Sequence, residues 1–220
     1  MTRLVDLGHV IEDGMITYPG LPAPVISDFL SRAASREKYA GQAEFHIGKI
    51  ELIANTGTYL DAPSHRFEQQ PDISDLPLSR LADLPGLLIN FPADQRAVEP
   101  SHFETASVEG RAVLIHTGWS RHWRTERYGD RSHPYLSADG AQYLADHGAL
   151  LVGIDSINID DIADPSRPAH TNLLRAGIPI VEHLTNLDAL TGLTFRFFAV
   201  PPQIRGLGTF AVRAFATVES

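Results

Sequence analysis

The stretch Asn55-Thr56-Gly57-Thr58-Tyr59-Leu60-Asp61-Ala62-Pro63-Ser64-His65 follows an apolar, β-prone run that begins at His46. The run predicts a strand over His46–Asn55 that enters a turn at Gly57. Pro63 then restricts the backbone between Asp61 and His65. A dense polar set after a buried strand is where α/β folds place active sites. The same composition also closes ordinary hydrogen-bonded turns, so both readings stand at this point.

Outward from this stretch, further strands are expected at Leu4–Leu7, Gly86–Asn90, Ala112–Thr117, Ala149–Asp155, Ile178–Val181, Thr194–Val200 and Phe210–Val218. Helical pieces lie between them. Ser101 with Glu104 reads as a capping box after Pro100. Ser137 is placed to cap a helix running through His147 and ending at Gly148, and His170–Ala176 reads as a short helix ended by Gly177. Helices interleave with strands in the middle, and strands dominate both ends. This pattern predicts a single α/β domain over residues 2–220, a mixed β-sheet with flanking helices. No repeat and no low-complexity linker divides it.

Composition narrows the function classes. The chain has 220 residues, 43% hydrophobic and 20% charged, and a net charge of −9. Such an acidic chain is a poor polyanion binder, which argues against nucleic-acid and anionic-membrane roles. No window is long and apolar enough for a spanning helix. Asp6, Glu12 and Asp13 interrupt the N-terminal run where a secretory leader would be apolar. There is no cysteine, so thiolate metal sites and a cysteine nucleophile are excluded. A cytoplasmic protein is expected, whose metal ligands, if any, come from Asp, Glu and the 10 histidines.

No GxSxG elbow, P-loop or HExxH signature is present, and Gly206-Leu207-Gly208 lacks the third glycine of a dinucleotide fingerprint. A second polar cluster does stand out: His170-Thr171-Asn172, then Glu182-His183 at the end of the apolar run Ile178–Val181. A carboxylate at that position is costly to bury without a cation, a proton or good donors. An arginine partner would satisfy it as well as a metal would.

Taken in order, these pieces resemble the cyclase family that includes bacterial kynurenine formamidases and isatin hydrolases. The resemblance rests on Asp6-Leu7, Tyr18-Pro19-Gly20-Leu21-Pro22, Thr56-Gly57-Thr58, Asp61-Ala62-Pro63, His65, Thr117-Gly118-Trp119, Gly153-Ile154-Asp155-Ser156, His170, Leu173-Leu174, Glu182, Asn186-Leu187 and Ala199-Val200-Pro201-Pro202. It implies the family's swivelling β/β/α arrangement, a homodimer, and a hydrolase acting on carbon–nitrogen bonds other than peptide bonds. Kynurenine formamidase activity would place it in tryptophan catabolism. The family holds two metal ions side by side. By resemblance, Asp61, His170 and Glu182 fall on metal ligands, His65 on the proton donor and acceptor, and Tyr18 on the aromatic residue lining the substrate pocket.

The chain departs from the family at two positions. Two metal-binding histidines fall on Asn55 and Tyr59. Neutral Asn and Tyr are poor ligands, so one divalent ion, Zn or Mn, is expected in place of two. Asn55 and Tyr59 then read as neutral donors to Glu182, the substrate carbonyl or a developing oxyanion, or as side chains that fill the vacated space. The resulting expectation is a metal-dependent hydrolase of an amide, formamide, cyclic amide or lactone in a small, aromatic metabolite. The alternative is a degenerate member that binds a small molecule without metal chemistry. His46 should face away from Asn55 unless a bulge near Gly48 resets the register, and His183 should point away from Glu182 if its strand persists.

Overall fold

The computed structural model describes residues 2–219; Ser220, the last residue of the expected domain, lies outside them. A nine-stranded sheet runs through the chain. At its centre, β5 (Leu84–Asn90), β7 (Ala112–His116), β9 (Leu151–Ile154) and β10 (Ile180–Glu182) are parallel neighbours. Antiparallel strands extend both sides: β4 (Tyr59–Asp61) and β12 (Thr209–Ala211) beyond β10, and β11 (Phe195–Phe198), β13 (Phe215–Glu219) and β1 (Thr2–Asp6) beyond β5. Short parallel strands β6 (Ala97–Val98) and β8 (Tyr135–Leu136) pair separately. So do β2 (Val25–Leu30) and β3 (Ile47–Glu51), as an antiparallel hairpin.

Alternation along the strands assigns the two faces. In β7, Ala112 and Leu114 belong to one apolar cluster, Val113 and Ile115 to the other. The first cluster also gathers Leu60 and Val181 from one side of the sheet with Val5, Phe197 and Ala216 from the other. Residues so far apart in strand order meet only because the sheet curls. Helices α2 (Ala138–Asp146) and α3 (Pro168–Arg175) cover the second face, packing Leu144, Leu173 and Leu174 against it. The third helix, α1 (Arg32–Lys38), joins β2 to the segment before β3. The result is a single-domain α/β fold with a curled mixed sheet and three helices, as the strand–helix pattern predicts.

Several elements differ in detail from expectation. His46–Asn55 is not one strand feeding the polar loop: β3 stops at Glu51, and every residue of it is exposed. His46 instead bonds Asp28 across the hairpin at 2.7 Å. The expected strand Phe210–Val218 divides into β12 and β13, which lie towards opposite ends of the sheet. A continuous strand could not serve both. The capping box near Pro100 uses Glu99 and His102 around a 3₁₀ turn, rather than Ser101 and Glu104. Strand β2 and helix α1 carry no strong periodicity and were not anticipated. The Ser137 cap, which accepts from Gly140 N, is as expected, and so is the left-handed turn at Gly148.

Candidate active site

Register builds the site. Leu60 turns into the core within the curl, so its neighbours Tyr59 and Asp61 must face the helix-covered side. Strand β10 pairs with β4 so that Glu182 lies opposite Tyr59, and β12 places Thr209 opposite Asp61. Tyr59 donates to Glu182 Oε2 at 2.6 Å, and Thr209 Oγ1 donates to Asp61 Oδ1. Helix α3 covers this face and delivers His170. Its imidazole Nε2 lies 3.7 Å from Asp61 Oδ2 and 3.8 Å from Glu182 Oε1. Both carboxylates thus reach one nitrogen, although more than 100 residues of sequence separate Asp61 from Glu182.

Asp160 fixes His170. Its carboxylate accepts from the backbone N–H of Ala169 and of His170 at the start of α3, at 2.6 and 3.2 Å, and bonds His170 Nδ1 at 2.5 Å. With Nδ1 committed, Nε2 is the nitrogen that faces Asp61 and Glu182. Thr209 does the same for His65. Its hydroxyl proton goes to Asp61 Oδ1, so its oxygen accepts from His65 Nδ1 at 2.7 Å. This leaves His65 Nε2 without a hydrogen bond among the described residues, 3.7 Å from Asp61 Oδ1, in a side chain that is 36% exposed. Gly208 makes the approach possible: a Cβ there would sit 2.5 Å from the His65 backbone N and Cα.

Three buried carboxylates surround His170, and the charge balance shows it. Burial opposes an imidazolium, but the bonds to Asp160 and Asp61 and the charge of Glu182 outweigh it, and His170 is pushed up to about 10. Glu182 is raised to about 7, by burial first and by Asp61, against the pull of His170 and the donors Tyr59 and Ile159 N. Asp61, despite full burial, is held below the usual carboxylate range by His65, His170 and Thr209. Its Oδ2 is buried without a hydrogen-bond partner among the described residues. An orphaned carboxylate oxygen facing His170 Nε2, in a nest of negative charge, fits a divalent cation that would take the place of the imidazolium proton. Asp61, His65 and His170 each offer a ligand atom within 4.8 Å of the others, and Glu182 Oε1 lies 3.8 Å from His170 Nε2. A mixed His/carboxylate donor set suits Zn²⁺ and other borderline metals.

A cavity of about 510 Å³ opens onto this cluster. Tyr18, Asn55, Tyr59, His65, His170 and Glu182 all line it, so these six residues singled out in the sequence meet at one place, with the seventh, Asp61, behind them. Burial raises the Tyr18 hydroxyl pKa, partly offset by Arg167. Tyr59, wholly buried and beside Glu182 and Asp61, is raised well above 10 and is therefore a neutral donor.

Sequence reasoning missed four contributors: Asp160, Thr209, His183 and Tyr128. His183 does not point away from the site. Strand β10 ends at Glu182, and His183 adopts a left-handed backbone with φ 59°. Its ring is fully buried, with Nε2 3.3 Å from the Tyr59 hydroxyl and Nδ1 2.8 Å from that of Tyr128. Burial, with His9 nearby, pushes it down to about 3, so neutral His183 accepts from Tyr128 and donates to Tyr59. Only the Thr209 hydroxyl and the acidic run Asn158–Asp161 offered any signal in the sequence, and neither has a distinctive spacing.

Fold and site together define an α/β protein with a buried His/carboxylate centre beneath a cavity of about 510 Å³. The profile of the family described as putative cyclase matches residues 5–161, and the chain belongs to that family. It is 26% identical to a kynurenine formamidase of Geobacillus thermodenitrificans, over 97% of both chains. Among solved structures it is similar to isatin hydrolase A from Labrenzia aggregata, with a TM-score of 0.84 at 20% identity, covering 100% of this chain and 94% of the other. It is also similar to a protein described as a potential metal-dependent hydrolase with cyclase activity, with a TM-score of 0.81 at 24% identity over the whole of both chains.

Proposed function

We propose that the chain is a hydrolase of the cyclase family that opens an amide, formamide, cyclic amide or lactone in a small aromatic metabolite. The observation that carries this reading is Asp61 Oδ2, buried without a hydrogen-bond partner among the described residues, facing His170 Nε2 at 3.7 Å, with His65 Nε2 3.7 Å from the other oxygen. Asp61, His170 and Glu182 would hold one Zn or Mn ion. When bound, the ion supplies Lewis-acid polarisation of the scissile carbonyl. His65 does the proton transfer. Its Nε2 takes a proton from the attacking water as the new C–O bond forms, then gives it to the leaving nitrogen, or to the ring oxygen of a lactone, as the C–N or ester C–O bond breaks. Thr209 holds His65 Nδ1 and so leaves Nε2 to face the reacting groups, in a ring that is partly exposed. Tyr59 and the Ile159 N–H occupy both oxygens of Glu182 and orient it. Asn55 and Tyr18 line the space for the substrate. The cavity volume suits a single-ring metabolite.

The hairpin of β2 and β3 supports a homodimer. Val25, Phe29, Ile47 and Ile50 on it are all exposed, an unusual density of apolar side chains for a free surface.

The test pairs metal analysis of protein purified without chelator with an aryl formamide assay that follows formate release. One ion per chain and turnover are expected. His65→Gln should lower kcat by about 10²–10⁴ with the metal retained. Protein without an ion and without turnover, yet still binding aromatic ligands, would establish the degenerate binding reading instead.

A further inference from the structure

The candidate pocket differs at its two ends. Buried Glu182 and His170 line one, with Asp61 just behind them, while exposed Arg66 and half-buried Arg167 line the side nearer solvent. Arg66 is anchored on the turn that carries Arg167, donating to Thr171 Oγ1 at 3.3 Å and to the Ser166 carbonyl at 3.5 Å. Arg167, at the entry to α3 with φ 50°, donates one N–H to the Asp161 carbonyl at 3.2 Å. The Tyr18 hydroxyl lies close enough to feel both the charge and the hydrogen-bonding pull of the Arg167 guanidinium.

Neither guanidinium forms an ion pair within 4.0 Å among the described residues, although every other cue favours one. The chain carries a net charge of −9, and the neighbouring segment is rich in acids. Those acids are already engaged. Asp160 holds His170 and the first turn of α3, Asp161 pairs with Arg96, and Asp164 accepts from Ser166. Asp164 feels the charge of Arg167 but makes no ion pair with it. Two fork-shaped donors therefore share one pocket opening with most of their N–H groups uncommitted. Arginine is the residue whose planar geometry matches a carboxylate with paired hydrogen bonds.

We infer that the substrate bears a carboxylate, gripped at the pocket opening by Arg167 and Arg66 with the Tyr18 hydroxyl alongside, so that its scissile carbonyl is directed inward to His65. This rests on the hydrolase reading for the inner end only; anion recognition at the outer end stands on the two arginines. The position of the arginines sets the direction of binding, because a carboxylate held by Arg66 and Arg167 leaves the rest of the molecule to reach inward past His65. A neutral ring amide lacks this handle and would bind without orientation.

The experiment compares benzoate with benzamide by calorimetric titration of the metal-loaded protein. The two rings match in size, and only one is anionic. Benzoate should bind at least about tenfold more tightly, the worth of one charge-assisted hydrogen-bond pair. Arg167→Gln and Arg66→Gln should each remove most of that preference, leaving benzamide affinity and metal content unchanged. A repeat on chelator-stripped protein separates the arginines from the metal: the preference should persist there, whereas a carboxylate bound by the ion would lose it. Equal binding of the two probes, no measurable benzoate binding, or a preference that survives both arginine substitutions overturns the inference. Failure of the hydrolase reading looks different. Aryl formamides would then go uncleaved while the arginine-dependent benzoate preference remained.

Discussion

Replacing Tyr59 by Phe separates a hydrogen-bond donor from a space-filling ring. Phe keeps the ring in the same fully buried place, so no cavity term enters. Only the hydroxyl is lost, and with it the 2.6 Å bond to Glu182 Oε2 and the acceptor for His183 Nε2. A buried hydrogen bond to a charged group contributes about 1.5–3 kcal/mol. The Ile159 N–H still satisfies Oε1, so the loss is confined to one oxygen. Tyr59→Phe should therefore cost about 2 kcal/mol in urea unfolding of the metal-stripped protein, or a Tm lower by about 4–8 °C for a chain of this size. With Oε2 released, Glu182 is no longer oriented, and metal affinity or kcat should fall by about 10–100-fold, the usual effect of losing a partner behind a ligand. Unfolding free energy within about 0.5 kcal/mol of wild type, with unchanged kcat and metal affinity, would show that Tyr59 merely fills space. The complementary variant, Asn55→His with Tyr59→His, should raise bound metal from one ion per chain toward two. Wild-type protein that already carries two would refute the reasoning.

Three further outcomes follow from the same geometry. Asp160→Asn weakens the hold on His170 Nδ1, so divalent-ion affinity should drop about 10–100-fold in competition with a chromophoric chelator; unchanged affinity would remove Asp160 from the site. Gly208→Ala forces the His65 backbone to move, and kcat should fall by about 10²-fold while bound metal stays near its wild-type level. His9, stacked on Trp123 at 3.9 Å, is pushed down to about 4 by burial and then by Arg124. A base depressed in the folded state is protonated first in the unfolded chain, so its contribution is present at neutral pH and lost as pH falls from 6.5 toward 4. Between pH 7 and pH 5 this amounts to about 2 kcal/mol, and His9→Gln should flatten that part of the stability profile in urea titrations.

The sequence by itself determined the local chemistry. The continuous apolar run in Ala112–Thr117 specified a strand, and Pro63 tied Asp61 to His65 within one turn. The interval from His170 to Glu182 holds one short helix, a glycine turn and one strand, each visible in its own residues. These features are legible because backbone propensity and side-chain period act over a few residues. What Tyr59 touches was not legible. Its tie to Glu182 spans 123 residues and exists because β4 lies antiparallel to β10 in one register. A shift of one residue would have turned Tyr59 and Asp61 into the core and Leu60 toward the pocket. Thr209 reaches Asp61 across 148 residues by the same device, through a strand that the sequence shows only as part of a longer apolar run. His183 read as a residue pointing elsewhere until the chain turned left-handed after Glu182 and brought its ring back against Tyr59. Partner choice at this site is a property of strand order and of the curl of the sheet. Both are set by burying many apolar side chains at once, which no single stretch of the chain encodes.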